Sequence, residues 1–157
     1  MLFPLFQWFE NSGVGRAIRE SQWLFPAIES IHLIALAAIG GAILIVDMRL
    51  LGWGLRRQPV RELARDAYPW LVGSLAVMLV TGFLLFLSES VKCYYSNAFW
   101  FKMTSLSLAI LFTFTVRRQV TGLEETGPGW LSRRLVGVVS LALWSGVGVG
   151  GRWIGFS

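Results

Sequence analysis

Histidine and cysteine are almost absent from this sequence: each occurs once in 157 residues, as His32 and Cys93. A single cysteine excludes an intramolecular disulfide and a paired-cysteine metal site, so Cys93 is free, faces lipid or pairs with another chain. A single histidine excludes bis-histidine haem ligation within one protomer. Phosphate-binding glycine loops, zinc-protease motifs and nucleophile elbows are also missing, so we do not expect an enzyme.

Charged residues are scarce, at 15% of the chain, whereas 55% of the residues are hydrophobic and fall in long blocks. Four blocks reach the roughly 17–25 residues that a membrane-spanning helix needs. They lack the alternation of barrel strands, and backbone groups in lipid must be hydrogen-bonded internally. We therefore predict an all-α polytopic membrane protein with four transmembrane helices in an antiparallel bundle. The predicted spans are residues 23–51, 68–87, 98–116 and 131–154.

The first 22 residues do not have the pattern of a signal peptide. They lack a basic start, and Pro4, Gln7 and Glu10 interrupt their apolar stretch. We therefore expect residues 1–22 to stay in the mature chain as an amphipathic segment with a short helix in the membrane interface, preceding a transmembrane domain of residues 23–157.

Positive charges are concentrated between the predicted spans. Nine of the fourteen lysines and arginines lie in residues 49–66 and 117–134. The positive-inside rule then predicts that both loops are cytoplasmic and both termini are outside, in a bacterial inner (plasma) membrane. Because these arginines border the spans and face anionic lipid, the net charge of +5 does not require a nucleic-acid partner.

Polar residues recur at the outer ends of the predicted spans. Charged groups facing lipid are costly, so these side chains should point into the bundle, where antiparallel helices bring them to one level. The predicted outer polar cluster consists of Glu29, His32, Glu89, Lys102 and Arg152.

Asp47 shares a helical stripe with Glu29 but lies eighteen residues further on, about 27 Å along the helix axis. We expect Asp47 to form an ion pair at the inner surface with Arg49 or with the arginines of residues 56–65.

His32 has two readings. It could bind a cofactor such as haem or quinone, or a metal, with Glu29 as co-ligand one turn earlier, or it could be a neutral imidazole hydrogen-bonded inside the bundle. Met103 is the one methionine at the level required for a second haem ligand. Near the last helix end, Gly146 and Gly150 form a bare face, for which close helix packing is favoured over room for a cofactor.

The sequence resembles a bacterial family of small four-helix inner-membrane proteins of unknown function. The resemblance rests on WLFPAIESIHLIALAAIGGAILIVDMRLLG at 23–52, the PVRELAR loop, the YPW and TGFLLF segments, NAFWFKM at 97–103 and GRWIGF at 151–156. A fainter likeness is to copper-resistance D type and cytochrome-b-like helical membrane proteins, which use several histidines where this chain has one.

Three functions remain open at this stage. The first is a non-enzymatic membrane subunit, or a homo-oligomer, whose outer polar cluster binds a cofactor or docks a partner. The second is a small proton or ion transporter that uses the polar stripe. The third is a purely structural assembly protein. Four helices of this length enclose little volume, so a homo-oligomer or a larger membrane complex is favoured over a channel within one protomer.

Overall fold

The computed structural model describes residues 2–54, 57–122 and 129–156, and this part of the chain consists of helices joined by short turns, without a strand. Arg56, Glu124 and Glu125, which contribute to the predicted loop charges, lie outside the described residues. The helices are α1 (Phe3–Glu10), α2 (Gly13–Glu20), α3 (Leu24–Leu51), α4 (Val60–Ser88), α5 (Ser90–Tyr95), α6 (Asn97–Phe112), a π-helical segment (Thr113–Arg117), α7 (Arg118–Gly122) and α8 (Trp130–Ile154).

Four helical stretches are long and apolar enough to span a membrane, which confirms the predicted fold class: α3, α4, the continuous helix of residues 97–122, and α8. Helix α4 begins at Val60, eight residues before the predicted span, because Pro59 caps a polar first turn that hydropathy does not mark. Helix α3 ends at Gly52, whose positive φ of 78° allows its amide to bond back to the carbonyl of Arg49.

The centre of the bundle is apolar. Ile39, Ile43, Met78, Ala109 and Val147 come from four different helices and are each at most 2% exposed. Many large apolar side chains on the opposite helix faces are exposed, as expected for a surface that contacts lipid. The centre of the bundle is therefore lined mainly by apolar side chains.

The N-terminal helices close one end of the bundle. Glu10 accepts a hydrogen bond from the Val91 amide at 2.6 Å and forms a 3.2 Å ion pair with Arg19, which donates to the Ser88 carbonyl oxygen. These bonds satisfy backbone groups where α4 stops and α5 starts. Gly15 of α2 lies so close to the Leu87 carbonyl that any side chain there would push α2 away from the end of α4.

Candidate functional site

Two buried polar pairs, one near each end of α3, are the candidate sites. At the end that carries the N-terminal helices, His32 is 7% exposed, and its Nδ1 lies 3.1 Å from the Met78 carbonyl oxygen and 3.0 Å from the Thr81 hydroxyl. Because a carbonyl can only accept, we assign the imidazole proton to Nδ1. Nε2 then presents a lone pair, and the Nζ of Lys102 donates to it at 3.4 Å.

Glycines from two helices make room for this pair, the His32–Lys102 site. A Cβ atom on Gly82 would lie 3.1 Å from the imidazole Cε1, and one on Gly150 would lie 3.0 Å from the Cβ of Lys102. A Cβ on Gly151 would lie 3.5 Å from Nζ. The glycines at the end of α8 thus give a close helix contact, and that contact lets the lysine side chain pass α8 and reach α3.

The other members of the predicted cluster do not join His32 and Lys102. Glu29 is exposed, Glu89 lies 3.9 Å from Lys92, and the exposed Arg152 lies 4.8 Å above the Phe156 ring. Helical spacing predicts which side of α3 carries Glu29. It does not predict whether the neighbouring helices are long enough to cover that side at Glu29. The outer polar cluster is therefore reduced to one contacting pair.

Cys93 lies on α5, near the same end, and is partly buried. Burial, together with the negative charge of Glu89, raises the pKa of its thiol to about 11. The residue is therefore a neutral thiol near pH 7, which makes it a poor nucleophile. Among the described residues, no group of three or more histidine, cysteine, aspartate and glutamate side chains is placed to hold a metal.

At the opposite end, Asp47 forms a buried ion pair, but with a different partner from the one predicted. Its Oδ1 accepts from the Nε of Arg117 at 2.9 Å, and the two side chains are 0% and 7% exposed. The predicted partner Arg49 instead donates to the Gln58 carbonyl oxygen at 2.8 Å. Position 49 lies beyond the buried face of α3, whereas Arg117 reaches Asp47 from the adjoining helix.

The π-helical segment explains why Arg117 is inside the bundle rather than in the predicted loop of residues 117–134. A π-helical turn holds an additional residue and rotates the side chains that follow it. Thr113, where the segment begins, accepts a hydrogen bond from the Trp144 indole at 3.1 Å, which fixes it against α8. The helix therefore continues to Gly122, and Arg117, the first arginine of the predicted loop, is a core residue.

Two buried polar oxygens lie beside this pair, the Oδ2 of Asp47 and the hydroxyl of Ser140, and they interact with each other outside ideal hydrogen-bond geometry. They lie at the contact between α3 and α8, where a Cβ on Gly137 would be 3.3 Å from the Asp47 carbonyl oxygen. Sequence reasoning missed Arg117 and Ser140. The available signal was that an aspartate inside an apolar span requires a buried partner.

A cavity of about 40 Å³ lies next to Arg117, between α3, α4 and the π-helical segment. A single water needs roughly 10–15 Å³ by the same measure, so a small polar group can enter. The lining residues are Ala42, Ala64, Ala67, Tyr68, Leu71, Thr113, Phe114, Arg117, Arg118 and Thr121. Nothing in the sequence pattern indicated this cavity, because its walls come from segments far apart in the chain.

Comparison with known proteins agrees with the resemblance noted in the sequence. No curated protein and no solved structure matches the chain. A family model matches residues 5–157, which include all four candidate spans and both buried polar pairs. The chain therefore belongs to the family of unknown function DUF6644.

Proposed function

We propose that this protein is a non-enzymatic subunit of a membrane assembly that holds the headgroup of a membrane quinol or quinone at the His32–Lys102 site. The observation that carries the proposal is the fixed imidazole. Its Nδ1–H is held by Met78 and Thr81, so its Nε2 is an acceptor directly beside a lysine ammonium.

This pair presents one acceptor and one set of donors to a ligand. A quinone carbonyl oxygen can accept from the Nζ donors of Lys102 that His32 does not use. A quinol hydroxyl can donate to the Nε2 of His32 only in place of Lys102, because that nitrogen has a single lone pair. An anion would satisfy the lysine only and would leave the imidazole lone pair facing negative charge. Membrane quinones also reach such a site through the bilayer, into which the apolar helix faces are directed.

The arrangement does not suit haem. The one histidine nitrogen that could ligate iron faces Lys102, and the imidazole Cε1 is packed against Gly82. Met103, the second ligand considered from the sequence, is 41% exposed and points away from the bundle interior. Haem ligation would require both Lys102 and Met103 to move.

Transport through one protomer is disfavoured by the interior of the bundle. Between the His32–Lys102 site and the Asp47–Arg117 pair lie Ile39, Ile43 and Met78, all at most 2% exposed. A proton path needs polar side chains or water along its length, and these residues provide neither. Association with further copies or with other membrane proteins remains part of the proposal, because the protomer encloses so little space.

The test is quinone binding by protein purified in mild detergent, measured both as quinone retained after extraction and as affinity for added quinone. Lys102→Met keeps an unbranched side chain, one atom shorter, and removes its donors. Loss of a charge-assisted hydrogen bond is worth about 1.5–3 kcal/mol, so affinity should fall at least about tenfold.

Lys92→Met is the matched control, because Lys92 is an exposed lysine of the neighbouring helix α5 and lies 3.9 Å from Glu89, its ion-pair partner among the described residues. It should bind quinone as the natural protein does. Equal affinity in the two variants would refute the proposal, and so would the absence of both retained and added quinone on the natural protein. In the latter case, the structural assembly function would be favoured.

A further inference from the structure

We propose that the cavity beside Arg117 binds the phosphate group of an anionic phospholipid. The cavity is at the opposite end of the bundle from the His32–Lys102 site and shares no residue with it, so this inference is independent of the proposed function. It rests on the position of the cavity, on unused donors at its base, and on an exposed arginine at its edge.

The cavity lies where lipid headgroups are expected. Helix α4 has 29 residues and is therefore about 43 Å long, which exceeds the roughly 30 Å of hydrocarbon in a bilayer. Its first turns, which carry Ala64 and Tyr68, must then reach into the polar region. Exposed aromatic rings mark the same level, with Trp70 at 71% and Trp53 at 75% exposure.

Arg117 forms the base of the cavity and has donors to spare. Its Nε bonds to Asp47 and its Nη2 bonds to the Ile43 carbonyl oxygen at 3.4 Å. Its hydrogen bonds to the described residues come from Nε and Nη2, and the residue is 6% exposed. A guanidinium has five N–H donors, so a group with oxygen acceptors that enters the cavity can be bound without breaking the ion pair.

Arg118 supplies the positive charge that Asp47 does not cancel. Its guanidinium lies 5.8 Å from the centre of the Tyr68 ring, and both residues line the cavity at its exposed edge. No carboxylate in the described part of the chain forms an ion pair with it. Arg118 and Arg117 can therefore contact one phosphate from two sides, as arginine does in many phosphate sites.

The rest of the lining favours a lipid over a free phosphate ion. Ala42, Ala64, Ala67, Leu71 and Phe114 offer no hydrogen-bonding side chain and give the cavity a largely apolar wall. The glycerol and upper acyl carbons of a phospholipid would cover this wall, whereas inorganic phosphate would leave it bare. A phosphodiester attached to apolar chains therefore matches both parts of the surface.

The experiment is native mass spectrometry of the full chain, together with lipid titration, in nanodiscs that contain phosphatidylglycerol in a phosphatidylcholine background. Arg118→Gln removes one cationic contact, worth about 1 kcal/mol, and should weaken phosphatidylglycerol binding about fivefold. Ala67→Leu fills the cavity without changing any charge and should also reduce retention of the lipid. Thermal unfolding of each variant shows that the fold is kept.

Arg134→Gln is the matched control, because Arg134 is an exposed arginine stacked 4.9 Å from the Trp130 ring at the same end of the bundle but outside the cavity. It should retain phosphatidylglycerol as the natural protein does. Equal losses in Arg118→Gln and Arg134→Gln would mean general attraction to anionic lipid and would overturn the proposal. Displacement of the lipid by millimolar inorganic phosphate would also overturn it, in favour of a free-anion site.

Discussion

At the scale of single residues, burial separates side chains that the sequence treats alike. Asp47 and Glu29 share a stripe of α3, yet Asp47 is fully buried and Glu29 is exposed. Asp47 is covered by Arg117 and by the close contact at Gly137, and both come from other helices. A buried carboxylate in such a site depends on its partner, because removal of the partner leaves an uncompensated charge.

We predict that Asp47→Leu lowers the free energy of unfolding by about 3–5 kcal/mol, since it leaves the guanidinium of Arg117 buried and unpaired. The double variant Asp47→Leu with Arg117→Met removes both charges and should regain much of that loss. Reversible unfolding in a detergent mixture measures both values. The exposed pair Arg65–Asp66, 3.8 Å apart, provides the comparison: Asp66→Asn should change stability by less than about 1 kcal/mol.

The single variant Arg117→Met completes the double-mutant cycle. A loss in the double variant equal to the sum of the losses in Asp47→Leu and Arg117→Met would contradict this account of the pair. Additivity would mean that Asp47 and Arg117 stabilise the bundle through separate contacts.

The residues of the candidate site could be predicted from the sequence only in part. His32 and Lys102 were both expected near the outer end, because an antiparallel bundle brings the start of one helix beside the start of another that runs in the same direction. The sequence could not show that Glu89 pairs locally with Lys92 or that Arg152 turns toward Phe156. Several charged partners are within reach at a helix end. Which of them a side chain contacts depends on its conformation, and helical spacing does not determine that conformation.

At the scale of helices, the contact between α6 and α8 depends on which glycines face it. Gly150 is in the contact, where an added Cβ would lie 3.0 Å from the Cβ of Lys102. A Cβ added at Gly148 would have no atom of another residue within 4 Å outside its own helix backbone and chain neighbours. The two glycines are two residues apart and therefore on opposite sides of the helix. Substitutions at Gly150 and Gly148 therefore separate the effect of helix packing on stability from the effect of helix propensity.

We predict that Gly150→Ala destabilises the protein by about 1–3 kcal/mol, because the added methyl group pushes α8 away from α6. Gly148→Ala should be neutral, or stabilising by up to about 1 kcal/mol, because alanine favours the helix more than glycine does. Unfolding of both variants in the same detergent mixture gives the comparison. If the two substitutions had equal effects, the close contact at Gly150 would not contribute to stability.

The helices themselves could be predicted more fully than their irregularities. Long apolar blocks gave the four spans, because lipid requires about twenty apolar residues in each. The π-helical segment Thr113–Arg117 could not be predicted, since it depends on contacts with other helices, such as the hydrogen bond from the Trp144 indole to Thr113. This segment decides that Arg117 lies in the core rather than in the loop.

At the scale of the whole molecule, the two ends of the bundle differ in chemistry. One end has the N-terminal helices, with Glu10 and Arg19 closing the break between α4 and α5. The other end has the arginines that follow α3, those near the end of the helix of residues 97–122, and those in the first turns of α8. The positive-inside rule predicts the orientation of a membrane protein from such an unequal distribution of arginine and lysine between its two ends.

We predict that both termini lie outside a plasma membrane and that the loop after α3 lies inside. Single cysteines placed at Ala17 in α2 and at Gln58 before α4, each in a Cys93→Ser background, probe the two sides, since both positions are exposed. In intact cells, a membrane-impermeant maleimide should label Ala17→Cys and should label Gln58→Cys only after permeabilisation. The reverse labelling pattern would place the Asp47–Arg117 pair and its cavity at the outer leaflet. Labelling of both cysteines in intact cells would contradict the prediction that α3, which lies between them, crosses the membrane.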